Sequence, residues 1–197
     1  MFTYDLIVVG SGHAGCEAAI SAAKLGLKTL LITLNLEHIA LMPCNPAIGG
    51  PAKSCLVREI DALGGVMGIV TDATYIQMKM LNSSKGPAVR ALRAQSDKKE
   101  YMSFMRNLIE CNRNISLKQT MATELIVEND EVKGVRDEFG IEYLAPTVIL
   151  TTGTSLEGKC YVGLQYVSAG RMGERAATGL SESLLKNGLS LKRLKTG

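Results

Sequence analysis

The chain has 197 residues, is 46% hydrophobic, carries a net charge of +3, and holds twenty glycines against three phenylalanines and no tryptophan. That length suits one full domain, or one domain with part of a second, and the small-residue composition points to a turn-rich α/β protein. The charge is too small to mark a nucleic-acid binder by itself. Five scattered cysteines with no Cys-x-x-Cys pair argue against a disulfide framework or a zinc site, and for a reducing compartment.

Residues 4–33 read as β-α-β. The apolar run Leu6-Ile7-Val8-Val9 leads straight into Gly10-Ser11-Gly12-His13-Ala14-Gly15, and the alanine-rich stretch that follows ends at Gly26, before the apolar Thr29–Thr33. Strand, glycine turn and helix in that order suit a dinucleotide diphosphate. The first glycine makes the turn, the second lets the backbone approach the phosphates, the third lets helix and strand pack closely, and the helix offers free N–H groups to the anion. The start of the chain has neither a charged leader pattern nor a long apolar segment, so no signal peptide and no membrane span are expected and the cytoplasm is the default. Direct use of NAD usually places Asp or Glu at the end of the second strand. Here that strand ends Thr33-Leu34-Asn35, with Glu37 beyond the expected position, which disfavours NAD and keeps FAD, whose flavin end is held by other loops, among the candidates.

Residues 35–51 lack periodicity and hold three prolines and two glycines, the pattern of a long structured loop, which inside a compact domain usually carries function. Residues 52–63 have helical spacing at Leu56, Ile60 and Leu63 and stop at Gly64-Gly65. Residues 74–81 alternate and predict a strand with one buried face. A loop follows at 82–89, and then an amphipathic helix over 97–110 with Tyr101, Met105, Leu108 and Ile109 inward. Ile115–Gln119 is a short strand; 123–128, 131–136 and Glu142–Leu144 form a meander; and 147–150 runs into Thr151-Thr152-Gly153, as in FAD-binding sheets that close beside the cofactor. Residues 179–187 make a last helix, and the basic stretch 189–195 follows. No second glycine fingerprint appears, so the sequence is expected to be a fragment or a truncated product.

Two loops carry candidate chemistry. In Met42-Pro43-Cys44-Asn45-Pro46-Ala47-Ile48-Gly49-Gly50 the prolines stiffen a backbone that the glycines let approach a flat ring. Cys44 sits among polar turn residues. Near a cation such as Lys53 or a helix N-terminus it is a thiolate nucleophile; otherwise it is an inert packed thiol. Asn82-Ser83-Ser84-Lys85-Gly86-Pro87-Ala88-Val89-Arg90 reads equally as a phosphate or flavin clamp and as a polar surface turn. His13, inside the glycine turn, is expected to pack or to hydrogen-bond locally, and Cys16, Cys55, Cys111 and Cys160 have no pattern around them. Glu59 and Asp61 lie two apart on one helix and cannot act as a facing acid/base pair.

Together these segments, with Leu56-Val57-Arg58-Glu59-Ile60-Asp61-Ala62-Leu63-Gly64-Gly65, Arg93-Ala94-Gln95, Thr151-Thr152-Gly153-Thr154 and Leu194-Lys195-Thr196-Gly197, resemble the MnmG/GidA family of tRNA uridine-modifying flavoproteins along essentially the whole chain. The resemblance implies an FAD-binding, Rossmann-like fold of the glutathione-reductase type: a parallel sheet with a β-meander. It further implies that residues 1–197 are an incomplete N-terminal FAD-binding domain, the NADH-binding insertion and C-terminal helical domain being absent. The implied activity, exercised with the GTPase MnmE, is addition of a carboxymethylaminomethyl group to C5 of the tRNA wobble uridine. NADH and methylenetetrahydrofolate are the implied co-substrates, and a homodimer within a heterotetramer the implied assembly. Carried over by position, Gly10, Ser11, Gly12, His13, Ala14 and Gly15 hold the FAD diphosphate. Ala122 touches the adenine side, Asn45, Gly49, Gly50, Thr152, Gly153 and Ala177 complete the cofactor site, Cys44 is catalytic, and Arg90 and Arg93 face tRNA or the flavin loop. No metal is implied. Pro43, Ser54-Cys55 and Ala177 depart from the family's usual residues. Two alternatives remain: a folate- and FAD-dependent tRNA uridine methyltransferase, which the Cys-Asn-Pro-Ala-Ile-Gly-Gly run argues against, and a non-catalytic nucleotide- or tRNA-binding module.

Overall fold

A computed structural model describes residues 2–195; Thr196 and Gly197, the end of the last motif named above, lie outside the described residues. The chain begins with strands β1 (Phe2–Thr3) and β2 (Leu6–Val9), helix α1 (His13–Lys24) and strand β3 (Thr29–Thr33). Strand β4 (Ala47–Gly49), helices α2 (Lys53–Ala62) and α3 (Met67–Thr74), and strands β5 (Tyr75–Leu81) and β6 (Ala91–Ser96) follow. Helix α4 (Lys98–Glu110) leads to β7 (Ile115–Gln119) and to the meander β8 (Ala122–Glu128), β9 (Glu131–Asp137) and β10 (Glu142–Leu144). Strand β11 (Val148–Leu150), the hairpin β12 (Lys159–Val162) and β13 (Gln165–Ser168), and helix α5 (Leu180–Lys186) complete it.

The centre is a parallel sheet in the order β11-β2-β3-β7. Every residue of β2 and β3 is buried, and side-chain alternation sends them to opposite layers. Leu6, Val8 and Leu31 pack with Cys16, Ala19 and Ile20 of α1 and with Tyr101, Met105 and Ile109 of α4. Ile7, Val9, Leu30 and Ile32 face the other way, onto Val135 and Tyr143 of the meander and Leu180 and Leu184 of α5. Fully burying each such aliphatic side chain contributes about 1.5–3 kcal/mol, so these two layers fix the sheet against both covers. The expected β-α-β unit, the α4 stripe, the meander and the last helix are all present.

Several local expectations are corrected. The segment 35–51 is not all loop: Leu36–His38 forms a 3-10 turn, and β4 pairs antiparallel with β6 in a second sheet of order β4-β6-β5. Strand β5 forms at one edge of that small sheet, but residues 75–80 are exposed on both faces, because neither face of the strand is covered. Helix α3 was not legible, since its start is capped from elsewhere. The Glu17 carboxylate of α1 accepts from the Val66 and Met67 N–H groups at 3.0 and 2.6 Å. Strand β6 and the β12–β13 hairpin were also missed. No helix of the described residues is long and apolar enough to cross a membrane.

Candidate functional site

The carboxyl ends of β2, β3 and β11 open on a cavity of about 350 Å³, where open α/β sheets bind ligands. Its floor is the glycine turn, and each glycine there has a separate reason. Gly10 has φ +105°, and a Cβ on it would run into the backbone carbonyl of Thr151. Thr151 holds that junction, donating its hydroxyl to the Val9 and Gly10 carbonyls at 3.0 Å each. A Cβ on Gly15 would overlap the Gly10 carbonyl oxygen, so this glycine sets the contact between α1 and the turn.

Gly12 differs from both. Its φ of −67° suits any residue, and nothing lies within 4 Å of where its Cβ would be. The fold itself therefore gives no reason for a glycine at this position. Gly12 is also the N-cap of α1 and lines the cavity, and the first-turn N–H groups of the helix have no side-chain cap. That arrangement fits an anion resting on the helix end, with the absent Cβ leaving room for it.

Ser11 and Thr33 tie the turn to β3 through a buried hydroxyl pair at 2.6 Å, and the Thr33 hydroxyl also donates to the Asn35 carbonyl. Ala122, Thr152, Gly153 and Ala177 line the cavity with Gly10, Ser11 and Gly12. Ala177 is placed by Leu156 on a parallel bridge and by two backbone bonds, its N–H to Ser155 and its carbonyl from Glu157, both 2.8 Å. His13, Ala14 and Gly15 lie in the first turn of α1, behind the floor. The His13 ring packs edge-on against Tyr101, centroids 5.6 Å apart. Burial, and then the nearby Lys53 ammonium, hold His13 below the usual imidazole range and keep the ring neutral.

The other loop residues are not brought into this cavity. Cys44 and Asn45 are exposed on the approach to β4, where the Asn45 amide oxygen accepts from Gln95 at 3.4 Å and the Pro46 carbonyl from the Ser96 N–H at 2.8 Å. Gly49 and Gly50 have φ of +92° and +95°, and a Cβ on Gly49 would meet the Leu92 carbonyl of β6. Strand pairing thus accounts for Gly49. Arg90 is exposed, with its Nε donated to the Lys85 carbonyl at 3.2 Å, and Arg93 is half-buried in β6. The 82–90 loop closes on itself through the Asn82 amide and the Val89 carbonyl.

The opposite wall comes from the turn 170–175, which sequence reasoning passed over. Arg171, Glu174 and Arg175 line the cavity with His38. Glu174 accepts from Arg171 Nε at 2.6 Å and lies 3.5 Å from His38 Nδ1, while Arg175 donates to Glu138 at 2.9 Å. No spacing in the sequence links these residues; the cavity does.

The profile of the family described as "Glucose inhibited division protein A" matches residues 5–197. The chain belongs to the glucose-inhibited division protein A family. It is 54% identical over 195 residues to the tRNA uridine 5-carboxymethylaminomethyl modification enzyme MnmG of Synechocystis sp., covering 98% of this chain and 31% of that protein. The protein of the same description from Geobacter metallireducens is 56% identical over 194 residues, with 98% and 31% covered. Among solved structures, Aquifex aeolicus GidA superposes with a TM-score of 0.90 at 48% identity, over 93% of this chain and 31% of that one. The GidA-related protein of Thermus thermophilus shares the fold alone, at 23% identity and a TM-score of 0.66 over 93% of this chain and 68% of that one. The chain therefore spans about a third of the length of these two MnmG relatives. The family structure agrees with the architecture above: a Rossmann-like α/β unit with a parallel sheet.

Proposed function

We propose that this chain is the FAD-binding part of a tRNA wobble-uridine modification enzyme. The observation that carries the activity is the 54–56% identity to the MnmG proteins along almost the whole chain. The observation that carries the cofactor is the Gly12 cradle over the uncapped end of α1.

In this reading the first-turn N–H groups of α1 hold the FAD diphosphate, and Gly12 keeps the space over them clear. Gly10 and Gly15 shape the turn, and Ser11 fixes it to β3 through Thr33. Ala122 and Ala177 would hold the adenosine end, and Thr152 and Gly153 would close the cavity at the carboxyl end of β11. Bound FAD supplies hydride-transfer chemistry, with NADH as the reductant and methylenetetrahydrofolate as the one-carbon donor. Asn45, Gly49 and Gly50 present Cys44 on an exposed loop beside β6, where its thiol is open to a large substrate such as a tRNA anticodon loop. Arg90 and Arg93, on the adjoining β6 segment, are assigned to phosphate contacts with that RNA. An MnmE-type GTPase is the partner, in a cytoplasmic assembly of two copies of each protein. The NADH-binding and helical parts of such an enzyme belong to the family's length outside this chain.

The reading is tested in the full-length family member. Cys44→Ser is expected to keep flavin bound, as seen in the visible absorption spectrum, and to abolish wobble-uridine modification measured by nucleoside mass spectrometry. Retained modification removes Cys44 from catalysis. A purified protein that takes up no flavin removes the cofactor assignment.

A further inference from the structure

Rossmann-type domains usually read the adenosine ribose with a carboxylate at the end of the second strand of the β-α-β unit, because two acceptor oxygens match the two donors of a vicinal diol. Strand β3 ends here without one. The groups that stand there are neutral, and each is already hydrogen-bonded within the turn. The Thr33 hydroxyl is engaged with Ser11 and Asn35, and the Asn35 amide oxygen accepts from the Glu37 N–H at 2.9 Å. Glu37, the nearest carboxylate in sequence, turns away to Arg106 at 2.6 Å with its side chain 75% exposed, and it does not line the cavity.

Among the described residues that line the cavity, Glu174 carries the only carboxylate. It reaches the end of β3 from a distant part of the chain. His38 closes the 3-10 turn directly after β3; its Nε2 lies 3.4 Å from the Asn35 amide nitrogen, and its Nδ1 lies 3.5 Å from Glu174 Oε1. Arg171 Nε fixes the other oxygen at 2.6 Å. The turn that carries Glu174 is tight: its own N–H donates to the Arg171 carbonyl at 2.9 Å, and its carbonyl accepts from the Gly170 N–H at 3.2 Å. The Glu174 side chain is only 20% exposed, and each carboxylate oxygen keeps acceptor capacity beyond the one partner it has.

We propose that Glu174, held against the end of β3 by His38 and Arg171, is the ribose-binding carboxylate of this cavity and sets its preference for a nucleotide with both hydroxyls. The inference rests on the dinucleotide reading of the same cavity and adds to it a residue that sequence position alone does not suggest. His38 and Arg171 are positioning residues in this account.

The test compares binding of ADP with binding of 2′,3′-dideoxy-ADP, by calorimetry on the purified chain, because their ratio isolates the ribose from the freed Arg171 charge. A charge-assisted hydrogen-bond pair predicts that the wild type prefers ADP by about 10- to 100-fold. Glu174→Ala is expected to bring the ratio close to one, and Glu174→Gln, which keeps one acceptor and the side-chain volume, to an intermediate value. Glu37→Gln is expected to leave the wild-type ratio unchanged. A wild-type ratio of one, a wild-type ratio in Glu174→Gln, or a loss of preference in Glu37→Gln overturns the assignment of Glu174 while leaving the dinucleotide site in place. Should Glu174→Ala fail to fold, the Gln variant alone decides. A wild type that binds neither ADP nor FAD overturns both.

Discussion

Gly12 and Gly15 sit three residues apart in one motif, yet the structure predicts opposite consequences for replacing them with alanine. At Gly15 the added methyl would overlap the Gly10 carbonyl oxygen and approach the Thr151 hydroxyl to 2.8 Å, with backbone on one side and, on the other, a hydroxyl held by the Val9 and Gly10 carbonyls. Overpacking of this kind costs about 1–3 kcal/mol, and the rigid neighbours place Gly15→Ala near the top of that range. For a chain of this size each kcal/mol lowers the melting temperature by about 2–4 °C, so a fall of about 6–12 °C is expected. At Gly12 the φ is ordinary and the space is open, so the fold loses only about 0.5–1 kcal/mol, from a weaker N-cap. The ligand loses more. A methyl standing over the first-turn N–H groups displaces a bound diphosphate, and FAD affinity is expected to fall at least about tenfold, or about 1.4 kcal/mol. Thermal melts by circular dichroism and flavin-fluorescence titrations separate the two effects. Wild-type FAD affinity in Gly12→Ala, or a melting temperature as low as that of Gly15→Ala, refutes the reasoning.

Two further predictions rest on buried groups. Asp137 is almost fully buried; burial alone would raise its pKa, but hydrogen bonds from the Ile141 and Phe139 N–H groups, Thr120 and Tyr143 outweigh it and hold the carboxyl below the usual range. Its stabilisation is therefore complete above the unfolded carboxyl pKa of about 3.9 and lost as pH falls through the lower folded value. Asp137→Asn is expected to destabilise at pH 7, by urea unfolding, with the deficit shrinking below about pH 4; a deficit constant down to pH 2 contradicts this. Among the cysteines, burial pushes the Cys16 thiol up to about 12, and its sulfur also contacts the Ser11 carbonyl. A thiol reagent is expected to label the exposed Cys44, Cys55 and Cys111 in the native chain and Cys16 only after unfolding, with mass spectrometry assigning the sites.

The parts of the fold legible in the sequence are those held by local pattern. The apolar run before Gly10, the alanine face of α1 and the Tyr101, Met105, Ile109 stripe each repeat at the period of their element, and the core keeps all of them. What escaped depends on partners far along the chain. Helix α3 starts where Glu17 caps it from α1, about fifty residues earlier, so its own first residues carry no start signal. The alternation of β5 suggested a buried face because amphipathic spacing does not report whether a cover exists. The glycine turn was readable as a motif, but the distinct duties of Gly10, Gly12 and Gly15 needed the positions of Thr151 and of the open cavity. Glu174 was invisible because a carboxylate expected at the end of β3 arrives through a turn more than a hundred residues later.

A crystal structure of the chain grown with FAD tests the central claim most directly. The account predicts phosphorus density within hydrogen-bonding distance of the first-turn N–H groups of α1, in the space beside Gly12, with the adenosine directed toward Ala122 and Glu174. Flavin bound away from that helix end, or none at saturating concentration, would contradict it.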